Sequence, residues 1–391
     1  MTGINFPKFQ LEIKFNPTYL LVGIELILAL FMGFSFSLLG LGGGAWILGG
    51  IASGALVFSL YRSFYDPQAK PNRNSRKIGQ ILVGLTIGFS IQHSNLTTLS
   101  ANIPIFILLT SCLLLGGVTI GYIYSRIEKT DLLTAVLATI PGNIGVMASM
   151  AADYGRNTAL VSLVQLIRFT AIILVVPLIA NVSNPHDINI IVSSLTKDLF
   201  WFDLKSLVLL LSVLVANSFL IQYSQKLKVP VAAFFCSIVV GMSFDSVFNL
   251  VLFLPHIDFN LPPLFNLIGQ VLLGMTIGEY WGINPNLTRR TVACASIPVA
   301  LTFLTGFLSA GIAMFITHWD WLTCLLVASP GGSPEMILIS LALNHHVELV
   351  TAGHLVRLVA INLSLPALVS FVCYWEERST RNPRKEIASL P

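Results

Sequence analysis

Apolar residues run in blocks of about twenty, and polar residues fill the gaps between them. In the first half the blocks cover roughly 19–39, 45–60, 78–92, 102–124, 132–152 and 158–180. In the second half they cover roughly 204–221, 230–254, 264–281, 291–317, 321–343 and 349–374. A helix of about twenty apolar residues matches the hydrocarbon thickness of a bilayer. The pattern therefore predicts an all-α polytopic membrane protein. The organisation it suggests is a membrane domain over 19–180, an inter-repeat loop over 181–203, a second membrane domain over 204–374 and a polar tail over 375–391.

The two halves repeat. Ile78-Gly79-Gln80 and Gly84-Leu-Thr86-Ile87-Gly88 recur 190 positions later as Ile268-Gly269-Gln270 and Gly274-Met-Thr276-Ile277-Gly278. Asp131, Thr134, Pro141, Gly142, Met147, Arg168 and Pro177 recur at an offset of 189 as Asp320, Thr323, Pro330, Gly331, Met336, Arg357 and Pro366. Shared hydrophobicity alone does not reproduce Gly, Pro, Thr, Gln and Arg positions together, so the chain carries an internal duplication.

The fifth block of each half is interrupted, by Pro141-Gly142-Asn143 and by Pro330-Gly331-Gly332-Ser333-Pro334-Glu335. Proline has no N–H to give and glycine gains nothing from helix, so neither run continues through its break. Broken backbone at membrane depth survives only where protein or a water-filled cavity covers it.

Loop charge adds topology. In short loops Lys and Arg mark the cytoplasmic side. They follow the second and fourth blocks of the first half (Arg62, Lys70, Arg73, Arg76, Lys77; Arg126, Lys129). In the second half they follow the first, third and last (Lys226, Lys228; Arg289, Arg290; Arg378, Arg381, Arg384, Lys385). Equivalent loops thus face opposite sides, which predicts two inverted structural repeats. Six blocks per half would not invert the second half. A re-entrant fifth segment, turning back at its Pro-Gly tip, restores an odd number of crossings. The expectation is ten crossings with both termini cytoplasmic. The alternatives are a third segment that does not span, or a broken helix that does cross with another segment miscounted; twelve crossings is the alternative count.

Composition agrees: 55% of residues are hydrophobic and 10% charged, against about 25% charged in soluble domains. The net charge of +4 reflects the cytoplasmic loops and is no signal for nucleic-acid binding. The expected partners are the lipid bilayer and a small-molecule solute, and self-association is compatible with the pattern. The five cysteines have no metal spacing and read as small buried hydrophobes. His345-His346 lacks a third ligand nearby in sequence. Gly40-Leu-Gly42-Gly-Gly-Ala45 lacks the strand and acid of a dinucleotide fingerprint and reads as a turn.

Candidate chemistry gathers at the breaks. Arg168 and Arg357 lie mid-block, where a charged side chain costs at least about 2.5–3.5 kcal/mol and normally pairs or lines a pathway. Gln165 and His354 precede them by three residues, on the same helix face. Two roles stay open: tying down carbonyls freed at the breaks, or contacting an anion with a planar fork of donors. The candidate solute- or ion-binding set is Pro141, Gly142, Asn143, Gln165, Arg168, Pro330, Gly331, Gly332, Ser333, Glu335, His354 and Arg357. Glu335, opposite Val146 in the repeat, either pairs with Arg357 or carries a coupled proton or sodium ion. No cofactor or metal is expected. Glu279 lies near a block end, which suggests interfacial exposure, and Glu25 stays open. The Gly-x-x-x-Gly motifs at 84–88, 117–121 and 274–278 suit close helix packing. Helix–helix hydrogen bonding is the expectation for Gln80 and Gln270.

At the Pro-Gly-Gly-Ser-Pro-Glu-Met motif and the His354-x-x-Arg357…Pro366 segment, the chain resembles the AbrB-type integral membrane family, which carries a duplicated module. The resemblance covers about Glu25 to Cys373. It implies an integral inner-membrane protein. Members are labelled either as regulators of gene expression or as ammonia monooxygenases. The small DNA-binding regulator of the same name is not what this chain resembles. The first half departs from the motif, reading Pro141-Gly142-Asn143 with Val146 in place of the acid. Three functions follow as expectations. The first is a transporter-like carrier of a small anionic solute. The second is a membrane protein acting on gene expression through a partner. The third, an ammonia-oxidising enzyme, is disfavoured because the sequence offers no copper or iron ligand set.

Overall fold

The computed structural model describes residues 17–39, 44–92, 96–142, 144–183, 204–226, 231–252, 259, 261–283, 289–343 and 345–387. Asn143, most of the loop assigned to 181–203, Lys8, Lys14, Lys228 and the Gly40–Gly43 stretch lie outside them.

All regular structure among the described residues is helical. The first half forms α1 (Pro17–Leu38), α2 (Ala45–Phe64), α3 (Arg73–Ser90), the short α4 (Leu96–Ala101), α5 (Ile103–Glu128), α6 (Leu132–Thr139), α7 (Ile144–Asp153) and α8 (Thr158–Ser183). The second half forms α9 (Leu204–Lys226), α10 (Ala232–Leu252), α11 (Pro263–Gly282), α12 (Arg289–Thr317), α13 (Trp321–Ala328), α14 (Ser333–Ala342) and α15 (Val347–Ile387). Apart from α4, each helix of one half has a counterpart in the other, as the 189-residue offset predicts. Among the described residues, seven helices (α1, α2, α5, α8, α9, α12 and α15) are long and apolar enough to cross a membrane.

Each interrupted block becomes two half-helices. The reason for the start is the same in both. Asp131 caps α6 by accepting from Thr134 N–H (2.8 Å) and its hydroxyl (2.6 Å). Asp320 caps α13 through Thr323 N–H (2.9 Å) and its hydroxyl (2.5 Å). The stop is also shared. Ile140 and Ser329, each before a proline, are extended (ψ 133° and 125°), because the proline ring disfavours helix in the residue before it. The preceding helices end alike, on Lys129 and His318 with left-handed φ of 54° and 58°.

Each pair of half-helices doubles back. Arg156, three residues past α7, reaches Asp131 at the start of α6 (3.4 Å), and Asn157 N–H donates to Thr134 Oγ1 (3.3 Å). His345, the counterpart of Arg156, sits 3.6 Å from Asp320. A pair that ran straight through would place these residues some 30 Å apart. Burial alone would push the Asp320 carboxyl up, but the Thr323 donors and the two histidines hold it below its ordinary range.

The hairpin mouths lie at opposite ends of α15. Beside its first residues, His346 meets Glu348 (3.4 Å) and Asp320 (4.0 Å). Near its far end, Glu376 accepts from Leu132 N–H (3.0 Å) and pairs with Arg156 (2.7 Å). About 40 Å of helix separates the two clusters.

The halves interlock through glycine. α2 packs against α11, and α10 against α3. At Gly50 and Gly54, α2 lies against the backbone of Gly274 and Met275. The equivalent contact puts Gly84 and Gly88 of α3 on Phe234, Ile238 and Gly241 of α10. Between them α3 meets α11 where Gly79 faces Gly269, two positions equivalent under the repeat. The Gly-x-x-x-Gly motifs are packing faces, as expected. Those at 84–88 and 274–278 join one half to the other, whereas Gly117 and Gly121 of α5 seat α6 of the same half.

Candidate functional site

The site begins with the carbonyls that α6 and α13 cannot satisfy themselves. The last C=O groups of a helix lack intrahelical partners and form the negative end of its dipole. Gln165 Nε2 donates to Leu137 O (2.9 Å) and Ile140 O (3.0 Å). Arg168 Nη1 donates to Thr139 O (3.0 Å) and Ile140 O (3.1 Å). Its Nη2 donates to Gln165 Oε1 (2.5 Å).

The second half repeats this with different chemistry. Arg357 donates to Ser329 O and, through Nη2, to Gly331 O (3.1 Å). Nη2 also meets His354 Nδ1 (2.5 Å), and His354 Nε2 meets Leu326 O (3.0 Å). An arginine only donates, so Nδ1 accepts; this assigns a neutral imidazole whose proton sits on Nε2 and is donated to Leu326 O. Gln165 and His354 are thus the same device, a donor toward a carbonyl and an acceptor toward an arginine. His354→Gln is expected to melt within a degree or two of the parent in detergent. His354→Leu, which strips both bonds, is expected to lose about 2 kcal/mol. A glutamine variant as unstable as the leucine one would refute the equivalence.

Gln165, Arg168, His354 and Arg357 are all buried. Of the two roles open for the arginines, the geometry displays the carbonyl clamp. No ion pair joins Glu335 to Arg357 among the described residues; Glu335 is 4% exposed, and its Oε2 has no hydrogen-bond partner.

The hairpin tips meet at a cavity of about 90 Å³. Its wall includes Pro141, Gly142, Gly331, Gly332, Ser333, Glu335 and Arg357 from the sequence-derived set. Pro330, Gln165, Arg168 and His354 stand behind that wall, where they fix the breaks. A wider space of about 500 Å³ shares Arg76, Gln80 and Val231 with it.

Sequence reasoning passed over several wall residues. Arg76 reads as one more cytoplasmic loop charge, yet it lies in α3, donates to Tyr280 Oη (3.3 Å) and faces the cavity. Gln80 lines the cavity as well, whereas Gln270 bonds to Asn266 (3.2 Å). The duplicated Gly79-Gln80 block was the available signal, and only one copy of the glutamine is used in this way. Thr276, Tyr280 and Asn362 complete the polar wall, and Phe169, Phe234 and Phe235 are among its apolar residues.

Glu279 corrects an expectation: it is 1% exposed rather than interfacial, because the Asn72 N–H caps its carboxylate at 2.6 Å inside the bundle.

The profile of the family described as "Transition state regulatory protein AbrB" matches residues 46–373. The Bacillus subtilis (strain 168) protein named "Uncharacterized protein YhjN" is 28% identical over 346 residues, covering 85% of this chain and 88% of its own. The Escherichia coli (strain K12) protein named "Putative regulator AbrB" is 26% identical over 309 residues, covering 77% and 83%. The profile runs through both halves and both Pro-Gly breaks, so the chain belongs to the AbrB family.

Proposed function

We propose that the protein is a secondary-transporter-like carrier of a small anionic solute, built from two inverted repeats. One observation carries this reading. The N-terminal ends of α7 (Ile144) and α14 (Gly332, Ser333 and Pro334) come together at one cavity. Helix N-termini present free N–H groups and partial positive charge, the arrangement that holds anionic groups in carriers with paired broken helices.

Three further observations support it. Arg76 adds a full positive charge to the wall. Glu335, the sole carboxylate of that wall among the described residues, sits beside the α14 N-terminus with an oxygen to spare, where it would take a coupled proton or sodium ion. The hairpin mouths lie at opposite ends of α15, and alternating access requires two routes of opposite sense to one central site. On this reading α3, α10 and α11 cross beside the seven long apolar helices, ten crossings in all; the lysine and arginine bias supports cytoplasmic termini, and the family resemblance supports an inner-membrane protein.

The test is ligand-induced thermal stabilisation of the purified protein against small carboxylates, phosphate, sulfate, amines and sodium, with Arg76→Gln and Glu335→Gln in parallel. One anion is expected to raise parent stability, by about 2.7 kcal/mol at a hundredfold excess over Kd, and to leave Arg76→Gln unmoved. Stabilisation by amines alone, or equal stabilisation of both proteins, would overturn the reading.

A further inference from the structure

Away from the cavity, α1 and α11 bring two acids together inside the bundle. Glu25 is 0% exposed and Glu279 1%. Neither oxygen of Glu25 finds an N–H or O–H donor. The titratable group its carboxyl faces is the carboxyl of Glu279, where α1 packs on α11. Two carboxylates in contact in an apolar interior cannot both be ionised, so a proton must lie between them.

The surroundings decide which acid keeps it. Glu279 Oε2 accepts the Asn72 N–H at 2.6 Å, which favours its charged form. Glu25 receives nothing comparable; the nearby Ser53 hydroxyl is spent on its backbone carbonyl (2.6 Å). Among the described residues no Lys or Arg side chain pairs with either acid. Glu25 and Glu279 are the sole charged residues of α1 and α11. From α2, Arg62 donates to Pro67 O and Gly282 O. From α3, Arg76 goes to Tyr280 Oη, and neither Arg73 nor Lys77 forms an ion pair with the acids; nor does Lys70 in the loop between, where Asp66 accepts from the Gln68 N–H. Arg168 of α8, which also touches α11, is held by the first hairpin.

We infer that Glu25 and Glu279 form a proton-binding site, with the proton on Glu25 and donated to the Glu279 carboxylate. The site stands whether or not the cavity carries a solute. It is nonetheless one residue from Tyr280 on the cavity wall, so a change of protonation at Glu279 acts on the helix that lines the cavity.

Proton release on unfolding measures it directly. An exposed glutamic acid ionises near pH 4.3, so a proton held by Glu25 at pH 7 leaves when the fold is lost. Denaturing the purified protein at pH 7 with an indicator dye should release one more proton from the parent than from Glu25→Gln. Equal release would overturn the inference. So would a melting temperature that rises with sodium in the parent but not in Glu25→Gln, since a metal ion would then hold the place. A second measurement needs no variant. A lipid-soluble carbodiimide adds the O–H of a protonated acid across one of its C=N bonds and rearranges to a stable N-acylurea. Peptide mapping of the membrane-embedded parent should find that adduct on Glu25, with yield falling as pH rises. An unlabelled Glu25 throughout would reject the site.

Discussion

Replacing Gly278 with leucine is expected to abolish the folded protein, and Gly274→Leu to do the same. A Cβ at 278 would occupy the space of Ile51 O and the Ala55 N–H of α2, and one at 274 that of Ile47 O and Gly50 Cα. These are backbone atoms of a helix, which cannot swing aside as a side chain can. Ordinary overpacking of a core costs about 1–3 kcal/mol. Here α2 and α11 must separate along their whole contact, which removes the joint between the halves. The readout is the monodisperse fraction after detergent extraction, expected to be near zero. Gly23 and Gly311 are internal controls on α1 and α12, where an added Cβ meets nothing within 4 Å. Alanine there should be neutral or stabilising by up to about 1 kcal/mol, since glycine is the poorer helix former. Gly278→Leu protein that extracts and melts like the parent would mean that the two helices are not in contact.

Arg357→Leu is expected to cost about 3 kcal/mol or more in detergent unfolding. The change orphans Ser329 O, Gly331 O and His354 Nδ1 at once. Each buried acceptor left alone costs about 1–3 kcal/mol. Arg357→Lys should recover part of the loss, because one ammonium replaces one point of a planar fork. Arg168→Leu should behave alike through Thr139 O, Ile140 O and Gln165 Oε1. Leucine variants with parental stability would show that water, not arginine, satisfies the breaks.

What the sequence made legible was local. Pro141 and Pro330 announce the breaks. Asp131–Thr134 and Asp320–Thr323 announce the caps that precede them. The spacing of Arg168 and Arg357 from the breaks puts both on the helix that follows, within reach of the freed carbonyls. What stayed hidden depends on partners some two hundred residues away. Nothing local marks Arg76 as a cavity residue rather than a loop charge, since its role comes from Tyr280, 204 positions on. Glu279 looks interfacial until Asn72 is brought against it. Gly50 and Gly54 have no Gly-x-x-x-Gly counterpart in the second half, where Ser237 and Gly241 do the same work, so the α2–α11 and α3–α10 joints escape motif matching.

The clamp on the first hairpin also sets a clock on biosynthesis. Leu132 and Arg156 wait for Glu376, which emerges 244 and 220 residues later. At about 5–20 residues per second, the first half spends roughly 10–50 s in the membrane before Glu376 closes over its hairpin mouth and α2 has α11 to lie against. During that interval the insertion machinery holds an apolar stretch, 132–153, that is long enough to be threaded straight through. Nascent chains stopped before residue 263 would therefore lack the partner that seats α2, and release of the C-terminal end is the event that completes the N-terminal one.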